Sequence, residues 1–352
     1  MARARADGIA SPGSPEAPSA ELPWVEAAAQ DTVARQRGHA LLLQGAPGAG
    51  VFELAQRIAA TWLCESAPAP CGQCVSCRLL ATRSHPDLRV LLPERVQEDL
   101  GWSQGATEGA EPADGEGGKA RRKPSREIKV EAVREAIAWS QTSATRGRGK
   151  VLVLFPADAM NLVAGNALLK TLEEPPAGVR VVLVTVDAER LLPTLRSRCQ
   201  CVRYAGPEPA QALAWLQAQG VAGAPVLLAA AGGLPLEARR LAAEGFDADG
   251  WSALPRRVAE GRWSPPPGLD VPRLREVLQK LCHDAMAEAA GAPPRYFPAG
   301  SLPPAVPWAR LSDWSRSLEE LARHDEHPFN APLLVDSLLG QAHSLWARGR
   351  AR

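Results

Sequence analysis

The sequence predicts an α/β domain on a mostly parallel sheet, followed by an all-α region. Three observations predict it. Short apolar runs at 39–43, 88–92, 151–155 and 181–186 alternate with helical patterns between about Leu22 and Tyr204. That alternation is the βαβ rhythm of a doubly wound sheet. A glycine frame, Gly45-Ala46-Pro47-Gly48-Ala49-Gly50, separates the first run from a helical pattern. From Pro207 to about Gly261 the chain is rich in Ala and Leu and helical, and three further helical stretches follow a proline-rich hinge.

The N-terminus carries Arg3 and Arg5 and then Pro, Ser, Ala and Gly. It lacks the apolar core of a secretory signal, and residues 1–21 read as a disordered tail. His39-Ala40-Leu41-Leu42-Leu43 suits a buried parallel strand. Val51 to Leu63 reads as a helix with Leu54, Ile58 and Trp62 on one face. Strand, glycine turn, helix is the arrangement of a phosphate-binding loop. An ordinary glycine-rich βα turn would give the same pattern.

In a working loop the last glycine is followed by Lys, which reaches the β- and γ-phosphates, and by Ser or Thr, which holds Mg²⁺. Here those positions are Val51 and Phe52. Neither side chain can do that chemistry, so Gly45, Gly50, Val51 and Phe52 make a degenerate loop. No ATP is expected to bind this chain.

Residues 97–126 interrupt the rhythm. Six acidic residues lie among many Gly and Ala from Glu98 to Glu116, followed by Lys119, Arg121, Arg122, Lys123 and Arg126. Such composition cannot bury enough apolar area to offset chain entropy, so a flexible surface insertion is expected. Periodicity resumes at Val130, Val133 and Ile137.

Residues 207–262 read as a compact helical lid, broken near Gly220 and at Gly232-Gly233. A proline-rich hinge follows at 262–269. Three one-sided helical stripes then mark a C-terminal bundle over 263–352. They are Leu274/Val277/Leu278/Leu281, Leu311/Trp314/Leu318/Leu321 and Leu334/Leu338/Leu345/Trp346.

At 352 residues the chain suits two or three domains. Its net charge of +1 announces no polybasic nucleic-acid field. No apolar run approaches the length of a membrane span. Seven cysteines are present, and four of them cluster as Cys64-x6-Cys71-x2-Cys74-x2-Cys77. This usage fits a reducing cytoplasm and a metal site better than a disulfide framework. Four soft ligands so close in sequence suit tetrahedral structural Zn²⁺ with no open catalytic position. Buried free thiols and an iron–sulfur cluster are the alternatives. Cys199, Cys201 and Cys282 read as core thiols.

Two further stretches make the pattern specific. They are Asn166-Ala167-Leu168-Leu169-Lys170-Thr171-Leu172-Glu173-Glu174-Pro175-Pro176 and Leu192-Pro193-Thr194-Leu195-Arg196-Ser197-Arg198-Cys199. Together with the glycine frame, the cysteine cluster and Ser84-His85-Pro86-Asp87, they resemble the bacterial DNA polymerase III clamp-loader family. The resemblance covers about 22–205, outside the 97–126 insertion.

It implies an AAA+ fold with an inserted zinc module at 64–77, a lid and a collar. It further implies cytoplasmic membership of a hetero-pentameric ring of ATPase subunits and a delta subunit, which places a sliding clamp on primer-template DNA. The chain departs from the ATP-hydrolysing members of that family at three places. The loop has Val51 and Phe52. The acidic box that begins Asp-Glu in active members aligns with Phe155-Pro156-Ala157-Asp158. A lid sensor that usually ends in Arg aligns with Gly232-Gly233-Leu234-Pro235.

The resemblance therefore implies a non-hydrolysing member with no catalytic site of its own, although membership of the holoenzyme attaches it to a DNA-directed DNA polymerase, a nucleotidyltransferase. Arg198 in Ser-Arg-Cys is implied to act as an arginine finger on a neighbour's ATP. Arg196 reads as structural and Thr185 as a strand residue at a sensor position. Glu173 and Glu174 read as serving the interface or supporting the neighbour's site. An ATP-hydrolysing motor subunit and a zinc-dependent DNA-binding module are the rival functions.

Overall fold

A computed structural model describes residues 22–102, 124–323 and 330–347. The tail at 1–21 and most of the 97–126 insertion lie outside the described residues. The chain divides into two compact units, Met1–Gly206 and Pro207–Arg352.

The first unit runs α1 (Pro23–Arg35), β1 (Ala40–Gln44), α2 (Val51–Leu63), α3 (Val75–Ala81), β2 (Leu88–Leu91), α4 (Glu94–Asp99), α5 (Val130–Ser140), β3 (Lys150–Leu154), α6 (Leu162–Glu173), β4 (Val179–Thr185), α7 (Pro193–Arg196) and β5 (Gln200–Arg203). The five strands form one parallel sheet in the order β2-β3-β4-β1-β5. Four strands fall where the apolar runs predict, within two residues at each end.

The fifth strand has no such run. β5 is an edge strand with alternating half-buried and exposed residues, and its sequence Gln-Cys-Val-Arg holds one aliphatic residue. Pairing with β1 makes it a strand. The alternation leaves Cys201 exposed and Cys199 only half-buried, while Cys282 is buried. The expectation of three core thiols is thus corrected at Cys201. The start of the 97–126 insertion is corrected as well, since Gln97 to Asp99 belong to α4.

Each face of the sheet is covered. Leu42, Leu152, Leu154, Val181 and Leu183 bury against Val133 and Ala136 of α5 and Leu168 and Leu172 of α6. Side chains alternate along strands, so Leu41, Leu43, Val153, Val182 and Val184 face the other way, all buried. There α2 packs on β1, β3 and β4, and α1 packs on α2. Asn161 caps α6 by accepting from Ala164 N at 3.0 Å.

The second unit holds α8 (Pro209–Ala218), α9 (Ala224–Ala230), α10 (Pro235–Ala243), α11 (Ala248–Ala259), α12 (Val271–Ala289), α13 (Trp308–Arg323) and α14 (Ala331–Ala347). The breaks fall at the predicted glycines. Trp251 is fully buried, stacks on Phe297 at 4.9 Å and donates its indole N–H to Tyr296 O at 2.9 Å. Arg273 of α12 is buried against Glu237 of α10, Glu244 at the C-terminal cap of α10, and Glu276. Pro235 is the first residue of α10 and is buried, which suits a helix start.

Candidate functional site: a filled phosphate loop, a thiol cluster and an edge arginine

The glycine frame does form the strand–turn–helix of a phosphate loop. It joins β1 to α2 through a single 3₁₀ turn, Pro47–Ala49. Gly50 has φ +96°, a left-handed backbone that favours glycine. Trp24 Nε1 donates to Ala49 O at 3.0 Å, so α1 pins the turn.

Aromatic rings occupy this region. Phe52 is buried and stacks on Phe155 with centroids 4.6 Å apart and planes 17° from parallel. Trp102 closes on Phe52 at 5.5 Å, and the Arg83 guanidinium lies 4.5 Å over Trp102. The second residue after Gly50 and the residue that follows β3 are thus rings in contact with each other. Sequence counting finds both substitutions but not their contact, nor the roles of Trp24 and Trp102.

Thr185 is fully buried. Its hydroxyl lies 2.7 Å from Asp158 Oδ1 and 3.1 Å from Asp187 O. The Asp158 carboxylate and the Thr185 hydroxyl are therefore bound to each other.

The four clustered cysteines converge. Their Sγ atoms all lie within 4.8 Å of one another, with Cys64–Cys74 and Cys71–Cys77 at 4.0 Å. A tetrahedral zinc with bonds of about 2.3 Å needs sulfurs about 3.8 Å apart, so the donor set fits. Cys64 sits at the C-terminal end of α2 and Cys74 caps α3, accepting from Cys77 N. Backbone N–H groups point at the sulfurs, including Cys71 N to Cys64 (3.3 Å) and Cys74 N to Cys71 (3.2 Å). Hydrogen bonds from the Gln73 and Cys74 amides bring the Cys71 thiol down to about 6. Such donors stabilise thiolates, the metal-binding form. Burial pushes Cys77 up to about 12 without a cation.

Ser84-His85-Pro86-Asp87 explains how this module is fixed. Asp87 is buried and accepts from Thr145 N and Arg146 N, both at 2.7 Å. Its own N–H donates to His85 Nδ1 at 3.1 Å, which leaves His85 Nε2 to donate to Ser76 Oγ at 3.0 Å. Ser76 then donates to Glu65 Oε1 at 2.7 Å, where Arg146 Nε also binds at 2.6 Å. The bonds from Arg146 and Ser76 hold the Glu65 carboxyl down at about 2. The motif reads as spacing alone in sequence; its partners lie about ten and sixty residues away.

Arg198 lies elsewhere. It is exposed, pairs with Glu173 at the end of α6, and donates through Nη1 to Thr194 O at 3.0 Å. Arg196 is held by Glu189 at 2.5 Å. Parallel pairing matches Leu41 with Gln200 and Gln44 with Arg203. Arg198 precedes β5 while the loop follows β1, so the two stand beyond opposite ends of the sheet. The paired stretch alone separates them by about 10 Å. The arginine and the loop are not brought together.

A family profile described as DNA polymerase III, delta subunit, matches residues 23–208. The DNA polymerase III subunit delta' of Pseudomonas aeruginosa is 38% identical over 233 residues, covering 63% of this chain and 62% of that protein. The subunit delta' of Escherichia coli is 33% identical over 258 residues, covering 68% and 67%. The subunit tau of Salmonella typhimurium is 31% identical over 163 residues, covering 46% of this chain and 21% of that protein. The match thus spans just under two thirds of the Pseudomonas relative.

Proposed function

The chain belongs to the delta' family of DNA polymerase III subunits, and on that premise we propose that it is a non-hydrolysing clamp-loader subunit. The observation that carries this reading is the Phe52–Phe155 stack. Phosphate and magnesium need cationic and oxygen ligands, and two packed rings supply neither. A motor subunit would need that space open.

In this reading the subunit stands in a ring with ATPase subunits and a delta subunit, and the ring places the sliding clamp on primed DNA. Residues 207–262 act as a lid and 263–352 as a collar. Arg198 reaches a neighbour's γ-phosphate in trans, where a permanent planar charge suits the task. Its place beyond the sheet end opposite its own loop supports that direction. Glu173 holds it in readiness. Cys64, Cys71, Cys74 and Cys77 hold a structural Zn²⁺, which keeps α3 folded against the end of α2.

The test is Arg198→Ala in a reconstituted loader. Assembly is expected to be normal and DNA-stimulated ATP hydrolysis to fall by about 10³-fold or more, by analogy with trans-acting fingers in GTPases. Unchanged hydrolysis would remove the finger role. Micromolar binding of a labelled ATP analogue to the isolated chain would remove the non-hydrolysing reading.

A further inference from the structure

Two arginines share a small cavity that the clamp-loader reading does not use. Arg148 and Arg180 line it with Thr61, Trp62 and Gly147, around a volume of about 350 Å³. No carboxylate is among the lining residues. The cavity lies by the starts of β3 and β4, next to the end of α2.

The fold brings the two arginines, Arg148 exposed and Arg180 half-buried, to one cavity. Gly149 has φ +92° and Gly178 has φ +75°, and their turns press against each other. A Cβ on Gly149 would stand 2.2 Å from Gly178 O, while Lys150 N donates to that oxygen at 3.0 Å. Only glycine allows this approach. It sets Arg148, just before one turn, beside Arg180, just after the other.

Among the described residues neither guanidinium pairs with a carboxylate. Arg148 Nε donates to Cys64 O at 2.8 Å, an uncharged acceptor. The Arg180 guanidinium lies 5.1 Å over the Trp62 ring. Among the described residues it has no hydrogen bond and no ion pair. Burial, and then the like charge of Arg148, push its pKa down. Two like charges thus line one cavity with no carboxylate among the described lining residues.

We propose that Arg148 and Arg180 form a binding site for a phosphate oxyanion. Two planar forks offer donors from two directions, matching an anion with several oxygens better than a single carboxylate. Gly147 leaves room beside them. The phosphate could come from a nucleic-acid backbone or from a free phosphate or mononucleotide.

The experiment uses the full chain, without the loader, so it is independent of the finger role. Inorganic phosphate is titrated by calorimetry, and a short fluorescein-labelled single-stranded DNA by anisotropy at low salt. Acetate serves as the carboxylate control. Arg180→Ala, Arg180→Lys and Arg148→Ala are compared with the parent chain, with thermal midpoint and zinc content checking that each is folded. Loss of one charged fork is expected to weaken binding by about tenfold or more. Weakened DNA binding assigns the site to a phosphodiester backbone. Weakened phosphate binding with unchanged DNA binding assigns it to a free phosphate or mononucleotide. Affinities unchanged for both probes in every folded variant would overturn the proposal, as would acetate binding as tightly as phosphate. Arg180→Lys keeps the charge and stem, so it reads the fork itself if Arg180→Ala fails to fold.

Discussion

Phe52 and Phe155 stack face to face at 4.6 Å, although one lies in the first turn of a helix and the other directly follows a strand about a hundred residues later. The contact turns two separate losses into one structural feature. The Phe52 ring lies between those of Phe155 and Trp102, stacked on the first and tilted against the second.

Restoring the loop alone is therefore expected to fail. Val51→Lys with Phe52→Thr should give no micromolar affinity for a labelled ATP analogue, because Phe155 still stands beside position 52 and offers no oxygen ligand for magnesium. Phe52→Ala should cost about 3–5 kcal/mol in urea unfolding, the range for deleting a buried aromatic. A cost under about 1 kcal/mol would mean the rings are not packed as described.

Metal should be stoichiometric and stabilising. Elemental analysis is expected to find about one zinc per chain. Chelation, or Cys77→Ser, should lower the unfolding midpoint by about 5 °C or more, as removal of a tight native-state ligand does. Iron with absorbance in the visible range would replace the zinc assignment.

His85 should make the first unit acid-sensitive. Burial pushes its pKa down, and protonation would set a second N–H against the Asp87 N–H that now donates to Nδ1. A base depressed in the folded state is neutral there while the unfolded chain binds the proton below about pH 6.5. Stability is thus full above that pH and falls as pH drops towards the folded value. The urea midpoint of zinc-saturated protein should show this fall, and His85→Asn should flatten it. Equal slopes for both proteins would exclude His85 as the titrating group.

Arg273→Ala should destabilise the second unit by about 3–5 kcal/mol, because it leaves carboxylates at Glu237, Glu244 and Glu276 without their shared cation. Near-UV circular dichroism under urea, which reports Trp251 and its stacked neighbours, checks this. A change within about 0.5 kcal/mol would show the cluster to be solvated.

Features written within a few residues of each other were legible in the sequence. The thiol cluster spans fourteen residues, so its spacing alone brings the ligands near one ion. The turn at Gly45–Gly50 and the helix Val51–Leu63 follow from glycine's backbone freedom and a 3.6-residue stripe. Strands β1 to β4 show because burial on both faces requires unbroken apolar runs. These are local constraints, and local sequence carries them.

Tertiary structure decided the rest. β5 is a strand only because β1 pairs with it, and at the sheet edge a four-residue segment needs no apolar run. Cys201 is exposed for the same reason. Sheet order put Arg198 beyond one end of the sheet and the glycine loop beyond the other, set Phe155 against Phe52, and pressed Gly149 on Gly178 so that Arg148 and Arg180 line one cavity. Each of these depends on how distant segments align across hydrogen-bonded strands. Spacing along the chain holds no record of that alignment, because parallel neighbours are joined by crossovers of variable length.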